Sequence, residues 1–441
     1  MSDPATGTTT TAPRRTPLVG GLTAEGISFI GTRVSMIAIP WFVLSTTGSA
    51  TQTGLVAAAE IAPLVLFKAL GGPLLDRVGP RRVTLVCDLG SALVVGSIPL
   101  LHQLGALTFP LLLVIVAVAG ALRGPGDAGK SAMTPEIARV AGVSLERVTG
   151  LGSAVERTST MAGAALAGLL VAAFGAANAL YVDAASFLLS FAVFALSTTG
   201  MGRPVPSAGT ATGVRATSYL TELREGWDFL RTEPVLVAIC LMVAVTNLVD
   251  QAYVAVLAPV WAKESGAGVE VLGAMFAAFS GASVLGALAA ARWGETLPRY
   301  RTYVVAFLVA GAPRFVVMAL ESPLWAVLAV TVVAGAASGF LNPILGAVIL
   351  ERIPAPLMGR VSSLNTAICW SLMPLGGVLG GLAVTAVGVS PALLIAGAAY
   401  LVTTMAPTRV PSFRAMDRAP VSAGTSAPAP APGRWPRSPR S

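Results

Sequence analysis

Charge is what this chain has least of. Only 11% of its 441 residues are Asp, Glu, Lys or Arg, against 54% apolar, and the mean hydropathy is +0.77. A soluble domain carries roughly a quarter of its residues as charges, so a soluble fold is excluded and an integral membrane protein is expected. Lysine is rarer still, occurring only at Lys68, Lys130 and Lys263. The single histidine, His102, cannot build a metal site alone. Cys87, Cys240 and Cys369 lie far apart, with no metal-ligand or redox spacing, and read as small buried thiols. No nucleophile–base pair, metal cluster or phosphate-binding loop is visible, so an enzyme, an ATPase domain and a bound cofactor are not expected. The net charge of +8 would suggest nucleic acid in a soluble chain. Here the arginines fall in loops and tails, where they set membrane orientation, so no nucleic-acid partner is expected.

What the chain has in abundance is apolar runs long enough to cross a bilayer, which takes about 20 residues of helix. Twelve are predicted: spans 1–6 at 18–45, 53–75, 83–103, 108–130, 148–173 and 178–199, and spans 7–12 at 234–262, 269–291, 301–320, 323–349, 361–387 and 390–408. Residues 1–17 and 409–441, rich in Pro, Thr, Ala and Ser, read as disordered cytoplasmic tails. Arg14-Arg15 ahead of an apolar run resembles a twin-arginine signal. That run is too long for a signal peptide and leads to further spans, so cleavage is not expected. One side of the membrane collects nearly all the basic residues, Arg77, Arg81, Arg82, Lys130, Arg139, Arg203, Arg292 and Arg352 among them. The other holds only Lys263. This bias places both termini and the central loop in the cytoplasm. The linker, 200–233, contains an amphipathic segment with Leu220, Leu223, Trp227 and Leu230 on one face, expected to lie on the cytoplasmic leaflet.

The chain also repeats itself. Arg147-Val-Thr-Gly-Leu-Gly-Ser-Ala154 matches Arg360-Val-Ser-Ser-Leu-Asn-Thr-Ala367, an offset of 213. Gly71 to Arg77-Val-Gly79 matches Gly286 to Arg292-Trp-Gly294, an offset of 215. Two matches at nearly one spacing predict an all-α membrane protein of twelve helices in two pseudo-symmetric six-helix bundles, 18–199 and 234–408.

Between spans 2 and 3 lies Gly71-Gly72-Pro-Leu-Leu-Asp76-Arg77-Val-Gly79-Pro-Arg81-Arg82. It resembles the loop signature of the major facilitator superfamily, Gly-x-x-x-Asp-Arg-x-Gly-x-Arg-Arg. Pro40-Trp-Phe-Val-Leu44, Tyr181-Val-Asp-Ala-Ala-Ser-Phe187, Leu223-Arg-Glu-Gly-Trp-Asp-Phe-Leu230 and Gly359-Arg-Val-Ser-Ser363 narrow the resemblance. They point to the drug:proton antiporter branch that holds macrolide efflux proteins and the enterobactin exporter. Two departures stand out: Gly163-Ala164 where drug antiporters carry Gly-Pro, and Thr32 where many members carry Asp.

The resemblance implies that Asp76 engages the start of span 11, near Arg360, and holds the cytoplasmic side shut. Gly72, Asp76, Arg77, Gly79, Arg81, Arg82 and Arg360 are therefore gating candidates. Asp76 is expected at the C-terminal end of helix 2, where the helix dipole repels a carboxylate and demands a positive partner. Charges inside spans cost about 2.5–3.5 kcal/mol or more at the bilayer centre and are functional candidates by default. They are Arg33, Glu60, Arg123 and Asp250, with Glu156 and Arg157 near the cytoplasmic end of span 5 read as structural. Asn247, Asp250 and Gln251 are expected to form one polar face turned to a central cavity, with Arg33 paired to Asp250 or Glu60 across it. Trp41, Phe67, Tyr253, Phe276, Phe279 and Trp370 could line a drug pocket, but most are expected to face lipid or neighbouring helices. The reading is a multi-pass, monomeric exporter of amphiphilic small molecules in the cell membrane, driven by protons. A uniporter or importer of a polar solute, or a sensor or scaffold on a transporter fold, are the alternatives.

Overall fold

The computed structural model describes residues 14–201, 219–293, 296–354, 357–409 and 413. Among them, twelve helices are long and apolar enough to cross a membrane. Spans 1–6 are Thr16–Thr47, Ala50–Leu70, Pro80–Gln103, Phe109–Ala141, Leu145–Phe174 and Ala176–Ser197. Spans 7–12 are Pro234–Glu264, Gly268–Trp293, Arg299–Ala319, Leu324–Ile349, Leu364–Val387 and Val389–Arg409. Local chemistry sets their ends. Ser49 and Ser144 accept from the Gln52 and Arg147 amides and so cap spans 2 and 5. Gly48, at φ +68°, ends span 1 in the left-handed region that a side chain resists.

Two boundaries differ from the expectation. Span 2 stops at Leu70, and the signature forms a separate short helix, Gly72–Val78. Pro73 suits the first turn of a new helix better than the interior of an old one. Span 4 runs on to Ala141, through Lys130 and Pro135, because Met133, Ile137, Ala138 and Ala141 bury one side of the extension against Leu18, Ala24 and Phe194.

The two sets of six helices pair in the same way. Spans 1·6, 1·5, 2·4, 3·4 and 3·6 pack together, and so do 7·12, 7·11, 8·10, 9·10 and 9·12. Glycines repeat the pattern. Gly120 and Gly124 of span 4 lie against the Glu60 and Leu64 carbonyls of span 2. Gly335 and Gly339 of span 10 lie against those of Phe279 and Ser283 of span 8. In lipid, where association depends on close packing, such glycines let backbones meet.

The halves meet through spans 2 and 11 and through spans 5 and 8. Their closest backbone approaches lie toward the face opposite the termini. There a Cβ on Gly54 would strike the Gly377 carbonyl, and a Cβ on Gly168 would stand 3.1 Å from the Gly273 Cα. Thr51 and Thr385 hydroxyls bond at 2.9 Å, and Lys263 Nζ donates to the Leu44 carbonyl at 2.7 Å. Toward the termini, spans 5 and 8 part around a cavity of about 250 Å³ that includes Glu156, Thr160, Phe279 and Ser283.

The linker helix, Tyr219–Leu230, packs on the start of span 11. Leu230 is buried with Leu236, Cys240 and Val361, while Trp227 stays exposed. One side of the linker helix is thus taken up by the C-terminal half; the Leu220 and Leu223 side chains fall outside the described residues.

Candidate functional site

Burying one charge in a span demands a partner, and the structure supplies them by pairing neighbouring helices. Glu60 of span 2 meets Arg123 of span 4 at 2.5 Å, with side chains 9% and 11% exposed. Asp250 of span 7 pairs with Arg314 of span 9. Arg33 therefore bridges to neither acid, against expectation. Its Nη1 donates to Met36 Sδ at 3.2 Å, its Nε is buried without a partner, and among the described residues no carboxylate lies within 4.0 Å. The reason is geometric. Spans 2·4 and 7·9 present their charges within one half, whereas Arg33 projects from span 1 beside Gly163 of span 5.

The three polar residues of span 7 separate rather than forming one face. Asn247 Nδ2 donates to the Cys369 carbonyl at 2.9 Å, and Gln251 is buried with its Cβ 2.9 Å from a Cβ built on Gly376. Both therefore serve the packing of span 11. Asp250, about 100° round the helix from Gln251, turns away to a cavity of about 210 Å³. Tyr253, Met275, Phe276, Phe279, Arg314 and Thr331 line it as well. Asp250 is 39% exposed and Arg314 only 9%, so the carboxylate is the member that faces the space. The guanidinium is held by four rings: its Cζ lies 4.8–5.8 Å from the centroids of Phe315, Tyr253, Tyr400 and Phe279. These cation–π contacts replace lost hydration. Tyr253, Phe276 and Phe279 are thus brought together on one cavity wall. Phe67 is exposed, and Trp370 lies under Lys68 at 4.7 Å.

Arg314 had not been singled out, although it is a charge within an apolar run and the same rule reaches it. Asp88 and Lys130 were missed for the same reason. Lys130, expected on the arginine-rich surface, is buried in span 4, 3.1 Å from Asp88 of span 3. Ser190 of span 6 joins them, accepting from Lys130 at 3.2 Å and donating to Asp88 at 2.8 Å.

The signature helix is peripheral to these pairs. Asp76 is exposed in the short helix, not at the end of span 2, and among the described residues it makes no ion pair. Arg77 and Arg82 are exposed likewise. A Cβ on Gly72 would meet nothing, whereas Gly79 sits at φ +91° and turns the chain into span 3. Arg81 Nε donates to Thr198 Oγ1 at 3.1 Å and Nη2 to the Ala195 carbonyl at 2.8 Å, so it caps the C-terminus of span 6. The Arg360 backbone belongs to the helix Met358–Ser371; its side chain lies outside the described residues.

A twelve-span, two-bundle fold with paired intramembrane charges defines a secondary transporter of the major facilitator type. The chain belongs to that superfamily, in the family described as transmembrane secretion effector, whose model matches residues 8–431. It is 30% identical over 394 residues to the multidrug efflux pump Tap of Mycobacterium tuberculosis (strain ATCC 25618 / H37Rv), covering 88% of this chain and 92% of the relative. Macrolide efflux protein A of Streptococcus pyogenes is 22% identical, covering 89% and 95%. Among solved structures, the nucleoside transporter NupG superposes with a TM-score of 0.71 at 15% identity, covering 91% of this chain and 99% of that one, a likeness that concerns the fold.

Proposed function

We propose that this protein exports amphiphilic small molecules, of drug, macrolide or siderophore type, by alternating access with protons moving the opposite way. The observation that carries the reading is the Asp250–Arg314 pair on the wall of an aromatic cavity. A carboxylate that faces the cavity can exchange its arginine for a substrate group or a proton, and either exchange changes the charge balance of the site. The efflux names of the relatives support the outward direction.

With the arginine-rich face in the cytoplasm, the described glycine, hydroxyl and Lys263 contacts close the outer side. Asp76 is unpaired among the described residues, and its latch to the start of span 11 at Arg360 is the contact that full closure of the cytoplasmic side would add. Arg81 ties that loop to span 6 and Gly79 turns it into span 3, while the exposed Gly72, Arg77 and Arg82 are left to act when the cytoplasmic side closes.

The test is direct. Everted vesicles energised by a pH gradient should accumulate ethidium or a macrolide. Asp250→Asn and Glu60→Gln should each reduce gradient-driven uptake at least about tenfold, the scale of one interaction of about 1.4 kcal/mol. Full uptake in both variants would remove the coupling assignment.

A further inference from the structure

Arg33 is an intramembrane cation that the ion pairs leave over. Arg123, Lys130 and Arg314 each hold a carboxylate. Arg33, at the middle of span 1, is half-buried. Its Nη1 donates to a thioether, Met36 Sδ at 3.2 Å, a weak acceptor, and its Nε is buried with no partner. Among the described residues no carboxylate lies within 4.0 Å of it. Asp183 of span 6 is not its counter-ion. That acid takes the Ser35 hydroxyl and sits where a Cβ on Gly31 would strike it. Arg33, two residues from each along span 1, projects about 200° round the helix from both, on the opposite side.

That side faces span 5. A Cβ on Gly163 would stand 2.8 Å from the Arg33 Cβ. Gly163 is three residues past Thr160 and seven past Glu156, so the three share one stripe of the helix. Thr160 and Glu156 border the cavity of about 250 Å³ between spans 5 and 8. The step from Thr160 to Gly163 is about 5 Å along the axis, so the Arg33 side chain leaves span 1 beside the inner end of that wall. Ser280, Ser283 and Asn342 line the facing wall with neutral hydrogen-bonding groups, and Glu156 and Arg157 are exposed. Phe279 belongs both to this cavity and to the aromatic one at Asp250. An unpaired guanidinium inside a bilayer is costly, and its planar fork fits a carboxylate through two parallel bonds. We propose that Arg33 binds an anionic group of the cargo. The amphiphiles carried then include those with a carboxylate, their apolar body against Phe279. A free anion such as chloride offers Arg33 the same chemistry, and the experiment separates the two.

This rests on the export reading, and the two can fail separately. Rhodamine 19 and its ethyl ester, rhodamine 6G, share one cationic ring system and differ in whether the carboxyl is free. Binding of each dye to purified wild type, R33M and R33K is followed by fluorescence anisotropy in gluconate buffer, and gradient-driven uptake of each by everted vesicles is measured on the wild type. Wild type should bind the acid at least about tenfold more tightly than the ester, and R33M should bring the two affinities within about twofold of each other. Equal affinities in wild type, or the same preference in R33M, would overturn the proposal. So would a free-ion site, seen as chloride raising the melting temperature of wild type and not of R33M while both dyes bind wild type alike. Should R33M fail to give a monodisperse protein, R33K decides, since it keeps the charge and loses the fork. The advantage of the acid should then fall at least about threefold, and an unchanged advantage would overturn the proposal. Vesicles that accumulate rhodamine 6G while the purified protein shows no preference for the acid would overturn this proposal alone. Vesicles that ignore the gradient with both dyes would overturn the export reading and this proposal with it.

Discussion

Removing either member of the Glu60–Arg123 pair leaves a charge between spans 2 and 4 with nothing to neutralise it. Taking one partner from a buried pair costs about 3–5 kcal/mol. Arg123→Ala should therefore lower the melting temperature in detergent, and Arg123→Ala with Glu60→Gln should recover most of the loss. Equal melting of the single and double variants would show that the pair contributes nothing. A second residue-scale prediction concerns the surface. Two hydrogen bonds from Arg299, 2.6 and 2.7 Å, hold the Glu351 carboxyl below its ordinary range. A lowered folded value means the contribution is present above the unfolded value, about 4.3, and lost as pH falls through the folded one. Glu351→Gln should thus melt below wild type at neutral pH, and the two curves should converge as the pH drops below about 4.3. At this scale, the sequence marked Glu60, Arg123 and Asp250 because any charge in an apolar run is conspicuous. It named Arg33 as the partner of the acids where the structure has Arg123 and Arg314, since a partner's identity depends on which spans lie side by side.

At the scale of the helix, the outer seam is the element whose failure would be most visible. Gly54 lies where any side chain meets the Gly377 carbonyl, and a Cβ on Gly381 would stand 2.6 Å from the Ala50 carbonyl oxygen. Gly54→Leu should hold spans 2 and 11 apart on the face opposite the termini. A cysteine at Thr385, whose hydroxyl bonds Thr51 in the closed seam, should then react with an impermeant maleimide added from that face several times faster than in the Gly54 background. Unchanged labelling would mean the seam opens without strain. The spans themselves were legible in the sequence; the break at Leu70 and the extension of span 4 were not. In the first, Pro73 at a new helix start outweighs continuity of the apolar run. In the second, tertiary burial of Met133 and Ile137 outweighs the charges around them.

For the whole molecule, the proposed alternating access turns on whether the two halves exchange one seam for another. The described contacts close the face of Lys263 and Leu44; on the second face a cavity of about 250 Å³ lies between spans 5 and 8 at Glu156 and Asn342, while Lys68 over Trp370 joins spans 2 and 11. Asp76→Asn should weaken closure of that second face, leaving ethidium binding in place but slowing gradient-driven export several-fold. Export unchanged in Asp76→Asn would leave the signature helix a topological marker only. Span number, their order and the repeat of two halves came from the chain alone, because a bilayer permits only long apolar helices and sorts arginine to one side. Which charges neutralise one another came only with the folded molecule. Arg33 looked like the natural partner of Asp250, yet Arg314 holds that place, and Asp183, read as part of a family pattern, proves to be a sealed acid hydrogen-bonded by the Ser35 and Ser186 hydroxyls. Hydropathy acts along the chain and can be read there; an ion pair acts through space, over a few ångströms that only packing defines.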